Sequence, residues 1–107
     1  MKIESYSLMK TTFDYYRSDL FNYFNNFNNC EIFHIIYFNE SLNMIQSGWM
    51  SSNQVVNDCI YIILNNYEFE NFNEKIYNEK INLLTKKVKE YYVKKRLQTI
   101  EGDFVCQ

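Results

Sequence analysis

Apolar residues recur in steps of three and four along three stretches of the chain: Phe13, Tyr16, Leu20, Phe24 and Phe27; Ile35, Phe38, Leu42, Ile45 and Trp49; and Tyr77, Ile81, Leu84, Val88 and Tyr91. Each set shares one face of a 3.6-residue helix, so the spacing predicts three buried helical seams. Asparagine pairs at 25–26, 28–29 and 65–66 mark the breaks, because Asn tolerates left-handed backbone angles and competes for backbone hydrogen bonds. The pattern predicts a mostly α, four-helix bundle-like single domain with a long C-terminal helix. Residues 1–9 read as a lead-in that could form an edge strand or a tail, residues 10–98 as the helical core, and residues 99–107 as a loose tail around Gly102.

The first helix is expected from Thr11 or Thr12, where Thr11 and Asp14 have a capping-box-like spacing, to about Asn25. The second is expected to begin with Asn28 as cap, carry its stripe to Trp49 and end at Gly48 as a C-terminal cap. The third spans about Asn53 to Asn65 with Val55, Val56, Cys59, Ile62 and Ile63 inward, and the last about Asn71 to Gln98. A second stripe on that last helix, Phe72, Ile76, Leu83 and Leu97, implies more than one packing partner. Residues 30–38 carry a competing signal. Their β-branched and aromatic side chains point both ways, as in a buried strand. The alternative fold is therefore α+β, with a central strand near 30–38 and a further one near Cys59 to Leu64.

Composition changes the picture in three ways. Aromatic residues make up 19% of the chain, 10 Tyr and 9 Phe, and burying each contributes about 2–3 kcal/mol, so a core of this size needs no staple. Absence of Pro and Ala, with abundant Asn, Ile, Lys, Tyr and Phe, is the signature of AT-rich codons and speaks of a genome rather than a mechanism. Three widely spaced cysteines, Cys30, Cys59 and Cys106, fit a reduced compartment. The longest strongly apolar run, Cys59 to Leu64, is far too short to span a bilayer, so the sequence predicts a cytoplasmic protein without a membrane partner.

Charge is unevenly distributed. Residues 1–74 hold three Lys/Arg against nine Asp/Glu, a net of −6, and residues 75–107 hold eight against four, a net of +4, which together give the overall −2. Lys86, Lys87, Lys89, Lys94, Lys95 and Arg96 crowd the last helix, with Tyr92 placed to stack on a base. Cations near a helix C-terminus are also favoured by the macrodipole, so phosphate binding competes with a purely structural explanation. Lysines outnumber arginines seven to one over residues 75–96, which favours non-specific attraction over base reading.

Catalytic chemistry is sparse. Cys30 and His34 are four apart and could share a helical face, but a metal would need a third ligand from Cys59, Glu31 or Asp58, and nucleophilic catalysis an orienting group and an oxyanion hole. With only Gly48 and Gly102, no loop can cradle phosphates. No catalytic residue, metal ligand or cofactor is therefore assigned, and the sequence predicts a protein that is not an enzyme.

Binding remains. An acidic, aromatic set, Tyr15, Asp19, Tyr23, Glu40, Trp49, Asp58, Tyr61, Tyr67, Glu68 and Glu70, offers large contact area inside a negative field. The leading expectation is a small intracellular stoichiometric inhibitor, of immunity or anti-defence type, that occludes a nucleic-acid-handling protein such as a nuclease complex. That expectation is an analogy from size, class and composition. The alternatives are a nucleic-acid-binding accessory protein using the basic helix and a homo-oligomeric structural protein, a homodimer for example, whose long helix pairs with its own copy.

Overall fold

The computed structural model describes residues 1–25, 31–52 and 60–105, and the side chains of 24, 25 and 98–105 are not among what it describes. The elements run β1 (Lys2–Ile3), α1 (Tyr6–Tyr16), α2 (Asp19–Asn25), β2 (Ile32–Asn39), β3 (Met44–Ser51), β4 (Tyr61–Ile63), α3 (Asn66–Glu70) and α4 (Glu74–Val105). Strands order as β1-β3-β2-β4, with β1 parallel to β3 and the other two pairings antiparallel. The fold is thus α+β, and the expected four-helix bundle does not form. The alternative that placed a strand near 30–38 is the one realised.

The second predicted helix is a β-hairpin. Phe38 pairs with Ile45 and Ile35 with Gly48, so Gly48 lies inside β3 rather than at a helix end. Residues of the apparent stripe split across the sheet: Phe38 and Ile45 join Ile36 in the core under the helices, whereas Ile35 belongs to the opposite face. Leu42 sits exposed in the turn. That turn is built by asparagine. Asn39 Oδ1 accepts the Leu42 N–H at 3.2 Å, and Asn43 adopts φ 50°.

The third predicted helix lies partly outside the described residues, at 53–59; its remainder is strand β4, not helix. Strand alternation buries Ile62 and leaves Ile63 on the other side, 45% exposed, although helical spacing had placed both inward.

Helix α1 starts earlier than predicted because Ser5, not Thr11, caps it: Ser5 Oγ accepts the Leu8 N–H at 3.2 Å. Thr11 and Thr12 are interior and donate their hydroxyls to the carbonyls of Ser7 and Leu8. The helix ends at Arg17, and Ser18 Oγ accepts the Phe21 N–H to open α2. This break shifts the helical register, burying Phe21 and leaving Leu20 57% exposed.

The chain's first residues are structured too. Glu4, a buried carboxylate, donates its N–H to the Ile45 carbonyl and accepts from both Ser47 N and Ser47 Oγ at 2.7 Å, extending the pairing along β3 past the two-residue β1. Asn65 caps α3 in a capping box with Glu68, and Asn73 Oδ1 accepts the Ile76 N–H to start α4. Met9 and Phe13 of α1, Ile36, Phe38, Ile45 and Ile62 of the sheet, and Ile81, Leu84 and Val88 of α4 form one core. The α4 seam falls where predicted through Val88, and the helix runs on through most of the expected tail to Val105.

Candidate functional site

Among the described residues, helix α4 is where basic side chains gather on one exposed side of a long helix. Its inner face buries Ile76, Ile81, Leu84 and Val88, which fixes which residues must face outward. Lys75, Asn78, Asn82, Lys86, Lys89 and Arg96 fall in steps of three and four on that outer side, with Val93 completing the series, and all seven are exposed. From Lys75 to Arg96 this ridge is about 31 Å long at the helical rise per residue. Lys87 and Lys94 are also exposed but lie on another side of the helix, with the exposed Glu79 and Glu90 between them and the ridge. Among the described residues, two ion pairs use Lys80 and Lys95 of this helix, and none involves Lys86, Lys87, Lys89, Lys94 or Arg96.

Two members of the predicted basic set differ. Lys95 Nζ reaches Glu40 Oε1 at 3.4 Å and stands 5.7 Å over the Tyr91 ring; its hydrogen bond to Glu40 leads the influences that raise its pKa above the ordinary lysine value. Tyr92 meets Phe38 edge-on with centroids 6.1 Å apart, so its ring is partly engaged in packing. Lys75, Asn78 and Asn82 were missed in the sequence, although stepping back from Arg96 by helical offsets reaches all three.

The acidic, aromatic set does not form one surface. Tyr15 and Trp49 both contact Phe21, with centroids 5.9 and 5.7 Å away, and Asp19 and Tyr23 belong to the same short helix as Phe21, so these four share one end of the molecule. Glu40 lies in the hairpin turn and is held by Lys95 of α4. Tyr61 pairs across β4 with Tyr37, on the sheet face away from the helices. Tyr67 and Glu70 are exposed on α3, but Glu68 is spent locally: it completes the Asn65 capping box and pairs with Lys80. Burial raises the Glu68 carboxyl, and the hydrogen bonds from Lys80 and the Asn65 N–H outweigh it and hold it below the usual value. Asp58 lies outside the described residues.

The lone histidine is a packed ring. His34 stacks on Phe69 with centroids 3.7 Å apart and planes 3° from parallel, with Tyr16, Phe21 and Phe13 completing the box. Among the described residues, its buried Nε2 has no hydrogen-bond partner. Burial, with the Arg17 guanidinium adding to it, lowers the imidazole from 6.5 to about 4. Arg17 also lies 5.1 Å from the Phe69 ring centroid and donates to the Phe69 carbonyl. Cys30 and Cys59 lie outside the described residues, among which no cluster of three or more His, Cys, Asp or Glu could hold a metal.

Glu4 is the other group sequence reasoning missed. Besides holding Ser47, its carbonyl accepts the Tyr77 hydroxyl at 2.8 Å. Burial, followed by the Glu4 charge, pushes the phenols of Tyr77 and Tyr16 upward. With both Ser47 donors on one of its carboxylate oxygens, Glu4 is engaged in holding β3 in place. No helix among the described residues is long and apolar enough to cross a membrane. No family model, curated protein or solved structure matches this chain.

Proposed function

We propose that this chain is a nucleic-acid-binding accessory protein that engages the phosphate backbone through the outer face of α4. The observation that carries the reading is the exposed ridge of Lys75, Lys86, Lys89 and Arg96, interleaved with Asn78 and Asn82. Lysine ammoniums attract phosphate as point charges and Asn amides donate to phosphate oxygens, so contact without base reading is the expected mode. The chain's overall −2 charge does not oppose this, because screening limits each charge to about 8–10 Å at physiological salt, so the local field is set by the helix's own residues, Glu79 and Glu90 among them.

Fluorescence anisotropy with labelled single- and double-stranded DNA and RNA tests it. Binding at low salt should weaken with a log–log salt slope of about −3, the value for three to four phosphate contacts. Replacing Lys86, Lys89 and Arg96 together by Glu should abolish binding while the circular dichroism stays unchanged. Absence of binding at about 50 mM salt, or affinity indifferent to that triple variant, refutes the reading.

A protein-binding reading survives in reduced form at the other end, where Tyr15, Asp19, Tyr23 and Trp49 come together around Phe21. A pull-down that retains a stoichiometric protein after nuclease treatment, and loses it when Tyr15 and Trp49 are replaced by Ala, would favour it.

A further inference from the structure

A groove of about 470 Å³ lies between α4 and the β2–β3 turn, with Met1 and Asn43 on one side and Val88, Tyr92 and Val93 on the other. Its volume is that of a small-molecule site, and its lining is almost wholly apolar. Lys89 and Arg96, both exposed, complete it, their aliphatic stems serving as wall while their charged heads stay in water. Tyr92 is 40% exposed here, and Phe38 of the core holds its ring edge-on with centroids 6.1 Å apart. The ring is therefore a fixed platform with surface to spare.

The groove and the basic ridge meet along one side of the helix. Lys89, Val93 and Arg96 step by four and three, and Tyr92 stands beside them toward the buried seam, so cations and ring line the same cleft. From Lys89 to Arg96 is about 10.5 Å of helix, with Lys86 one turn further upstream. Neither neighbouring carboxylate cancels this charge at the groove. Glu90 lies on the far side of the ridge, and Glu40, whose carbonyl accepts the Asn43 N–H, has its carboxylate on Lys95.

From this juxtaposition we infer that the groove takes an unstacked nucleobase against the Tyr92 ring while Lys89 and Arg96 hold the neighbouring phosphates, which makes single-stranded nucleic acid the class of ligand the ridge binds. The inference rests on the phosphate-binding reading of α4 and specifies it. Bases of a duplex are paired and stacked inside it, out of the groove's reach, whereas a base of a single strand can turn out onto an aromatic ring whatever its identity. Stacking reads no base edge, in keeping with a lysine-rich surface. An anionic lipid would use only the two cations beside the groove. The row instead continues to Lys86 and Lys75 along one helix, which suits a polyanion laid lengthwise.

Fluorescence anisotropy on the full chain tests it, with labelled probes of about 12 nucleotides: single-stranded DNA, single-stranded RNA, the DNA duplex, and a DNA strand made abasic throughout, which keeps the phosphates and removes the bases. At about 50 mM salt an intact single strand should bind more tightly than the duplex and about tenfold more tightly than the abasic strand, and the better of DNA and RNA names the source. Tyr92→Leu should lower affinity for the intact strand about five- to hundredfold, to the abasic level, with an unchanged circular dichroism spectrum, and Tyr92→Phe should retain it. A strand carrying iodouracil should cross-link to Tyr92 on irradiation. Equal affinity for intact and abasic strands, both lost in the Lys86→Glu/Lys89→Glu/Arg96→Glu variant, overturns the base pocket and leaves the phosphate reading standing; binding of no probe overturns both. A duplex bound more tightly than either single strand, a folded Tyr92→Leu that binds as the wild type does, or binding to phosphatidylglycerol vesicles in place of the strands also overturns the inference.

Discussion

His34 makes the stability of this protein depend on pH in a window set by one residue. Its ring is enclosed by Phe69, Tyr16, Phe21 and Phe13, and its Nε2 has no partner among the described residues, so the folded state holds the imidazole neutral down to about pH 4 while the unfolded chain takes up a proton near 6.5. Between those values the unfolded state binds more protons, so stability is complete above about pH 6.5 and is lost as pH falls toward 4. The gap corresponds to at most about 3 kcal/mol, and the solvent that still reaches part of the ring reduces this to about 1.5 kcal/mol. By pH 5 about 1 kcal/mol should be gone, a drop in the urea midpoint of roughly 0.5–1 M for a chain of this size. Glu68 does not blur the window, because its lowered pKa gives stability that is present above the ordinary 4.5 and lost only at lower pH. Urea melts followed by circular dichroism at pH 7.5, 6 and 5 should show this slope in the wild type and a flat profile in His34→Phe, whose ring keeps the stack on Phe69. Comparing slopes removes any overpacking penalty the larger ring adds. Since the chain has one histidine, its proton resonance reports the same event without assignment. Parallel slopes in the two proteins, or an imidazole that titrates near 6.5 in the folded state, would refute the reasoning.

Leu84 is fully buried between α4 and the sheet, so Leu84→Ala should cost about 2–5 kcal/mol in urea unfolding, while Leu97→Ala on the exposed side of the same helix should cost at most about 0.5 kcal/mol. Glu4→Ala leaves the Ser47 N–H and hydroxyl without their acceptor and should cost about 2 kcal/mol, with Glu4→Gln losing less because its amide oxygen can still accept; equal stability of all three proteins would show that water replaces the carboxylate at no cost.

How much of this was legible in the residues depends on what decided each element. The α4 seam was readable because Ile81, Leu84 and Val88 meet the core through one helix face and no breaker interrupts them. The stripe Ile35, Phe38, Leu42, Ile45 and Trp49 misled because a hairpin of two apolar-faced strands also puts large residues three and four apart. Its strands are buried on both faces near Ile35 and Ile36, which removes the period-2 signal that would have identified them. The residue that decided the matter, Asn43 with its positive φ, looks like any of fifteen asparagines in a chain where Asn carries little positional meaning. At the first helix, capping by Ser5 and the break at Ser18 moved the buried position from Leu20 to Phe21, and both depend on which of several nearby hydroxyls finds an orphan N–H.

Charge was legible as sign but not as arrangement. The basic character of the last helix is a property of the sequence, and whether those charges are available is a property of the fold: Lys95 and Lys80 are drawn to Glu40 and Glu68, while Lys86, Lys87, Lys89, Lys94 and Arg96 stay exposed. The same two pairings thin the acidic set on which the protein-binding expectation rested, since both carboxylates sit in it. One sheet therefore redistributes both surfaces. By turning residues 32–51 back on themselves it carries Glu40 to the α4 residues around Lys95 and away from Trp49, which pairs with His34 at the other end of the hairpin, and α4 extends past that turn because β2 and β3 are too short to cover its length.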